Sequence, residues 1–414
     1  MQKTPKGLRL HIGIFGKRNA GKSSILNRLT GQDTSIVSDF AGTTTDPVEK
    51  PMELLPLGPV LFIDTAGIDD DSALGDKRIE RSMAVIKRTD LAVIVAEPGT
   101  WSVFEDDLVH QLRRLDIPVL AVINKTDIAS PTEQDIEYIK SKCDGLCLAS
   151  AVDNSGFTEL RRLIVETVPE EYLTTPPIVS DLVRPGGAAV LVVPIDKEAP
   201  KGRLILPQVQ SIRDLLDGDS VAIVTKEREL FRTLEMLKQK PDIVVTDSQA
   251  FLKVAADTPD DIPMTSFSIL FARLKADLAE MVRGAMTIEN LRPGDKIMIA
   301  ESCTHHPITD DIGTVKIPRW LRQYVGGSLE IDHWRGHDWP QNIAEYKLII
   351  HCGACMWNRR EMLSRLISAR EYNVPMTNYG LTIAFTLGIF ERALGPFPEA
   401  MDVYRQMKKS GTDD

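Results

Sequence analysis

Along residues 9–170, short apolar runs alternate with longer stretches whose apolar positions recur every three or four residues. The runs LHIGIFG, VLFIDTA, LAVIVAE, VLAVINK and LCLAS are apolar at consecutive positions. Strands buried on both faces of a parallel sheet have that character, and the stretches between them have the helical period. The alternation predicts a doubly wound α/β domain over residues 1–172. The segment EYLTTPPIVSDLVRPGG, with its prolines and glycine pair, marks a boundary. A second series then begins: AAVLVVPI, a helix around VQSIRDLLDG, SVAIVTK, a helix ELFRTLEMLKQK, DIVVTD and a closing MTSFSI. It predicts a middle α/β module over 173–268, expected to serve packing or dimerisation. One long amphipathic helix, LFARLKADLAEMVRGAMTIENL at 270–291, leads into a third α/β unit over 269–414. Its strands are KIMIAES, SLEID and YKLIIHC, and its helix is NRREMLSRLISAREY. No repeat of 20–50 residues and no low-complexity tract is visible.

Composition narrows the class. The 414 residues carry a formal net charge of -10, which excludes a bulk binder of nucleic acid or anionic membrane. The longest apolar runs, LAVIVA, AAVLVVPI and LTIAFTLGIF, fall below the roughly 18 residues a membrane span needs. MQKTPKGLRLHIGIFG has no long apolar h-region, so a cytoplasmic protein is expected. Five cysteines, an odd number, argue against a disulfide framework.

Gly16-Lys17-Arg18-Asn19-Ala20-Gly21-Lys22-Ser23 fits G-x-x-x-x-G-K-[ST] between a strand and the helical SSILNRLTG. Such a loop turns backbone N–H groups of Gly16, Asn19, Ala20, Gly21, Ser23 and Ser24 toward phosphate oxygens at a helix N-terminus. Lys22 is expected to reach the β- and γ-phosphates and Ser23 to ligate Mg²⁺. Asp64-Thr65-Ala66-Gly67 ends a strand, where Asp64 is expected to hold Mg²⁺ through water and the Gly67 N–H to sense the γ-phosphate. In Asn124-Lys125-Thr126-Asp127, the carboxylate of Asp127 is expected to accept from guanine N1 and N2, a donor pair adenine lacks. Ser150 and Ala151 stand where a base-contacting loop is expected, and Thr44 of Gly42-Thr43-Thr44-Thr45-Asp46 is expected to complete the Mg²⁺ shell. Lys17 and Arg18 are expected to face phosphates or solvent.

These elements, in this order, resemble a Ras-like GTPase of the TrmE–Era class over residues 9–170. Ile68 stands where Ras-type enzymes carry a water-orienting glutamine. In the resembled subgroup a hydrophobic residue there goes with K⁺-stimulated hydrolysis, completed by dimerisation, and Asn19 matches the K⁺-coordinating asparagine. The resemblance implies a slow GTPase that acts as a switch.

Cys303-Thr304-His305 follows KIMIAES, and His351-Cys352-Gly353-Ala354-Cys355 ends YKLIIHC. Both sit at strand ends, where α/β folds collect ligands. The spacing permits a structural Zn²⁺ site of three cysteines and a histidine, or an iron–sulfur cluster with three cysteines and a histidine or exchangeable fourth position. His333, Trp334, His337 and Trp339, in an expected loop EIDHWRGHDWP, are candidates to shape a neighbouring pocket. Cys143 and Cys147 are expected to be structural.

Over its full length, with GTPase, middle α/β module and C-x-H…H-C-x-x-C in that order, the chain resembles HydF, a family of GTPases that mature [FeFe]-hydrogenase. The resemblance implies a [4Fe-4S] cluster on Cys303, Cys352 and Cys355, with His305 or His351 as candidates for the fourth position. It implies a 2Fe precursor as cargo, a homodimer, the two radical-SAM maturases as partners and the hydrogenase as acceptor. A tRNA-modifying GTPase of the TrmE kind is the alternative. The net charge and the position of the GTPase at the start of the chain count against it, and no GXXG-bearing RNA-binding module is visible.

Overall fold

The computed structural model describes residues 6–30, 47–55, 57–65, 83–168, 176–195, 204–302, 311–340 and 342–410. It forms two compact units, Met1–Thr175 and Pro176–Asp414.

The first unit is a six-stranded sheet in the order β2-β3-β1-β4-β5-β6. Its strands are β1 (Leu10–Phe15), β2 (Val48–Leu54), β3 (Gly58–Asp64), β4 (Leu91–Ala96), β5 (Val119–Ile123) and β6 (Gly145–Leu148). Only β2 runs antiparallel, against β3. Side chains alternate between two cores along each central strand: Leu91, Val93 and Val95 face one, Ala92, Ile94 and Ala96 the other. The helices Lys22–Thr30 and Phe157–Thr167 fill the first core through Ile25, Leu26, Leu160 and Ile164. Val103–Arg114 and Glu133–Lys142 fill the second through Leu108, Leu112 and Ile139. Both start with a capping box, Ser102 with Glu105 and Thr132 with Asp135, which satisfies N–H groups the first turn leaves open.

The second unit holds two four-stranded parallel sheets around one shared core. The first sheet contains β7 (Ala188–Val192), β8 (Val221–Thr225), β9 (Ile243–Thr246) and β10 (Met264–Ser266), in the order β8-β7-β9-β10. The second contains β11 (Lys296–Glu301), β12 (Glu330–Arg335), β13 (Leu348–His351) and β14 (Met376–Asn378), in the order β12-β11-β13-β14. The topology is the same, and so is the register. Val192 pairs with Thr246 and Thr246 with Ser266; Ala300 pairs with His351 and His351 with Asn378. Arg184-Pro185-Gly186 and Arg292-Pro293-Gly294 precede the first strand of each sheet, and Pro263-Met264-Thr265 and Pro375-Met376-Thr377 mark the last.

Each fourth strand ends in a side chain that caps the next helix. Ser266 accepts from the Ile269 N–H to start Phe267–Lys275, and Asn378 from the Leu381 N–H to start Tyr379–Thr386. The following helices are exchanged: Leu278–Met286 packs against β14, and Phe390–Leu394 against β10.

Two expectations need correction. The long helix at 270–291 is broken into Phe267–Lys275, Leu278–Met286 and a 3-10 turn Thr287–Asn290. Ala276 is extended, and Asp277 accepts from the Glu280 N–H at 3.0 Å to start a new helix. The segment EIDHWR is strand β12 rather than loop, so His333 and Trp334 sit in the sheet. Among the described residues, no helix is long and apolar enough to cross a membrane.

Gly284 is where helix and strand touch: a Cβ there would lie 2.0 Å from the Met376 carbonyl oxygen and 2.5 Å from its carbon. Both are backbone atoms, so neither swings aside. Gly284→Val is expected to destabilise the second unit by about 1–3 kcal/mol, as overpacking does, read from chemical denaturation of the full chain.

Candidate functional site

The loop after β1 is shaped by two glycines. Gly16 has φ 140°, and a Cβ there would lie 2.2 Å from the Val95 carbonyl oxygen. Gly21 has φ 92°, and its Cβ would meet Asn124 Nδ2 at 2.1 Å. Asn19 also takes a left-handed conformation, with φ 63°. Lys22 is buried at the first position of the helix, and its Nζ donates to the carbonyls of Gly16 (2.9 Å) and Lys17 (2.7 Å). The ammonium therefore lies across the mouth of the loop.

Ser23 Oγ donates to Asp64 Oδ2 at 2.6 Å, joining the start of the helix to the end of β3. Asp64 Oδ1 is buried with no hydrogen-bond partner among the described residues. Burial raises the Asp64 pKa, while Ser23 and Lys22 oppose the shift. A hydroxyl, a carboxylate and an orphaned carboxylate oxygen in one place suit a hydrated Mg²⁺. Ser24 is exposed beside Ser23. Thr44 and Gly67, with Ile68, lie outside the described residues.

The base-recognition segments meet at the end of β5. Asn124 Nδ2 donates to the Ala20 carbonyl at 3.0 Å, and Asn124 Oδ1 accepts from the Ala151 N–H at 3.4 Å. Ser150 Oγ donates to Asp127 Oδ1 at 2.6 Å. One asparagine thus ties the phosphate loop to both base-side loops. Lys125, at φ 62°, is ion-paired with Glu97. Lys17 departs from expectation: its Nζ turns to Glu105 (3.1 Å), Ser102 and the Thr100 carbonyl, joining loop to helix. Arg18 is exposed. Cys143 and Cys147 are buried, and burial pushes their thiols up to about 12 and about 11, as suits inert core residues.

In the second unit, Cys352 and Cys355 follow β13, half-buried. Ser302, at the end of β11, donates its backbone N–H to Cys352 Sγ at 3.2 Å, a bond that favours thiolate. Cys303 follows Ser302 in the chain; with His305 and His306 it lies outside the described residues. Among the described residues, no group of three His, Cys, Asp or Glu side chains is arranged for a metal.

The cysteine loop rests on a buried cation. Lys275 Nζ donates to the carbonyls of Ala354 (3.2 Å), Cys355 (3.4 Å) and Trp357, with the side chain 3% exposed. Burial lowers its pKa to about 8, against the pull of Cys355, Glu361 and Cys352. Ala354, at φ 47°, makes the turn that aims these carbonyls. A thiol that accepts an amide hydrogen bond beside a buried ammonium suits an anionic thiolate–metal group.

His351, a candidate for the fourth position, has both ring nitrogens engaged by the protein. It is fully buried on β13, its Nδ1 bonds the Cys352 carbonyl at 2.9 Å, and its Nε2 faces Arg365 Nη1 at 3.0 Å. An arginine only donates, so Nε2 accepts and Nδ1 carries the proton. Both nitrogens are occupied, and burial holds the ring neutral, with a pKa near 3. Arg365 lies between the rings of Trp339 (4.4 Å) and Trp357 (4.2 Å) and donates to the carbonyls of Gly336 and Asp338. His337 pairs with Glu361 and stacks on Trp357. Lys275, Ser302 and Arg365 carry no sequence motif; they reach the cysteine loop only through the fold. Arg365→Ala would strand His351 Nε2 and two carbonyls and leave a void between two tryptophans. A loss of roughly 3 kcal/mol or more is expected, seen as a lower denaturation midpoint with altered tryptophan emission.

The family model described as the hydrogen maturase F tetramerization domain matches residues 279–396, and that of the hydrogen maturase F dimerization domain matches residues 178–276. A model described as a 50S ribosome-binding GTPase matches residues 11–125. The tRNA modification GTPase MnmE of Prochlorococcus marinus (strain NATL2A) is 34% identical over 154 residues, 36% of this chain and 33% of that protein. GTPase Der of Wolinella succinogenes is 35% identical over 132 residues, 31% of this chain and 28% of that one. The chain thus spans about a third of the length of the curated relatives it matches. A crystal structure of Aquifex aeolicus Era aligns with 79% of this chain and 92% of its own at 17% identity, with a TM-score of 0.34. With the two hydrogen maturase F modules in tandem after a GTPase module, and together covering more than half of its length, the chain belongs to the hydrogen maturase F (HydF) family.

Proposed function

We propose that this protein is a GTP-hydrolysing scaffold that carries a 2Fe precursor of the [FeFe]-hydrogenase active site and hands it to the hydrogenase. The two radical-SAM maturases would supply the diatomic ligands. The reading rests above all on one observation: Cys352, with an amide hydrogen bond to its sulfur, stands over a lysine-braced loop in a chain that also carries a complete base-selecting GTPase motif set. Its functional domains are taken as 1–172, 173–268 and 269–414. Self-association, at least as a homodimer, accords with the descriptions of the two C-terminal family models.

In the GTPase unit, Lys22 would leave the Gly16 and Lys17 carbonyls for the β- and γ-phosphates. Ser23 and Thr44 would ligate Mg²⁺, with Asp64 holding it through water, and the Gly67 N–H would meet the γ-phosphate. Asp127, steadied by Ser150, would accept from guanine N1 and N2. Asn19 would coordinate K⁺. In the second unit, Cys303, Cys352 and Cys355 would hold a [4Fe-4S] cluster, with His305 at a replaceable fourth position. Such a cluster supplies an iron with one exchangeable site. Lys275 and the Ser302 N–H would offset the thiolate charge there, and His351 and Arg365 would keep the strand end rigid. Nucleotide state would govern release of cargo or of a partner.

Three outcomes follow. Asp127→Asn is expected to weaken GTP binding about a hundredfold or more, since two charge-assisted hydrogen bonds are lost; isothermal titration measures it. GTP turnover is expected to be slow, and higher in KCl than in NaCl at equal ionic strength; equal rates would remove the K⁺ role of Asn19. After anaerobic reconstitution, the reduced protein is expected to give a [4Fe-4S] EPR signal that Cys303→Ala, Cys352→Ala and Cys355→Ala each abolish. Stoichiometric zinc with no such signal would overturn the carrier reading.

A further inference from the structure

The turn after β4, Glu97-Pro98-Gly99-Thr100-Trp101-Ser102, carries no nucleotide motif, yet it holds one residue from each of two that do. At its far end, Lys17 of the phosphate loop donates to the Thr100 carbonyl and to Ser102 Oγ, both at 2.9 Å, and to Glu105 Oε2 at 3.1 Å. At its start, Glu97 is ion-paired with Lys125 of the base-selecting segment. The turn between these points is closed twice. The Thr100 N–H donates to the Glu97 carbonyl at 3.2 Å, and Thr100 Oγ1 accepts from the Glu97 N–H at 3.1 Å. Gly99, at φ 70°, lets the chain reverse there.

Glu105 anchors the phosphate side. It is the third residue of the helix Val103–Arg114 and is fully buried. Its Oε2 accepts from the Ser102 N–H at 2.8 Å as well as from Lys17, and its Oε1 is buried with no hydrogen-bond partner among the described residues. A buried carboxylate so sparsely supplied holds its ammonium partner firmly.

Both clamped stretches need such holding. Gly16, Asn19 and Gly21 have φ 140°, 63° and 92° within six residues, and Lys125 itself is at φ 62°. Left-handed backbone at a residue with a side chain persists where its surroundings over-determine it. The Lys17 carbonyl also accepts from Lys22 Nζ at 2.7 Å. One residue thus fixes its side chain on the turn while its carbonyl carries the phosphate-binding ammonium. The turn is a link between the phosphate loop and the base selector that is independent of Asn124.

We propose that Glu97, Thr100 and Glu105 are positioning residues for the nucleotide: they hold the phosphate loop and the base selector in binding shape before GTP or GDP arrives. The loops are then ordered during folding rather than on binding, and the binding-competent fraction stays high. Because Lys17 rests on the turn and not on a phosphate, losing the brace weakens both nucleotides alike. A lysine that met the γ-phosphate would instead favour GTP over GDP. The inference rests on the GTP-binding part of the reading above.

The test uses the full-length protein. GDP and the non-hydrolysable guanylyl imidodiphosphate are titrated by calorimetry, and GTP turnover is measured at saturation. Glu105→Gln keeps the capping box, which glutamine also closes, and removes the charge that holds Lys17. Glu97→Gln removes the charge that holds Lys125. Each is expected to weaken both ligands by the same factor, about threefold to tenfold, with kcat unchanged. Lys17→Met is expected to match Glu105→Gln, with the double variant no weaker than either, and Lys17→Arg to restore affinity. Thr100→Val, at an exposed position, replaces Glu105→Gln if that variant's denaturation midpoint falls. Wild-type affinities in Glu97→Gln and in the Glu105 or Thr100 variant would overturn the brace and leave GTP binding standing. So would a loss confined to the GTP analogue with a fall in kcat, which would put Lys17 on the γ-phosphate. No binding of either nucleotide by the wild type would overturn both.

Discussion

A parallel strand ends with its backbone groups unpaired, and all strands of a parallel sheet end on the same side. That constraint organises this protein. In the first unit the ends of β1, β3 and β5 bring Gly16, Asp64 and Asn124 together, and Asn124 bonds the loop that follows β1. In the second unit the ends of β11 and β13 bring Ser302 to Cys352. Function is concentrated where the sheet stops, because there the chain turns while the rest of the strand is locked in register.

Buried charge separates the two sites. The nucleotide site buries a cation and an anion near one another: Lys22 is bonded to backbone carbonyls and Asp64 to Ser23. The cysteine loop instead has Lys275 and Arg365 sunk beneath it, each donating to several carbonyls. Two buried cations cost several kcal/mol, and the carbonyl dipoles with the one buried carboxylate of Glu361 offset only part of it. Anionic thiolates above the loop would supply the rest.

The nucleotide site is legible in the sequence because its chemistry is local: a few consecutive residues at each strand end carry the loop, the Mg²⁺ acid and the base selector. The same holds for Cys352 and Cys355. Lys275 was not legible, because nothing near ADLAE signals that its ammonium will lie under residues 354–357. The surroundings of His351 were not legible either: beside two cysteines it has the pattern of a ligand, and the fold turns its ring inward to Arg365. The break at Ala276 was readable in principle, since Asp277 and Glu280 have the spacing of a helix start inside the amphipathic run. The doubled β/α plan escaped because its period is a whole module and few side chains are shared; strand registers reveal it.

The exchanged helices give that doubling a physical meaning. Leu278–Met286, at the close of the first copy, lies on β14 of the second, and Phe390–Leu394, at the close of the second, lies on β10 of the first. Each half is therefore unfinished alone. Severing the chain between them would expose the flank of a sheet, and exposed strand edges recruit whatever matching element is nearest. For an isolated half, that element is the same helix of another molecule. The linkage through residues 287–291 keeps an embrace within one polypeptide that separated pieces would rebuild between polypeptides.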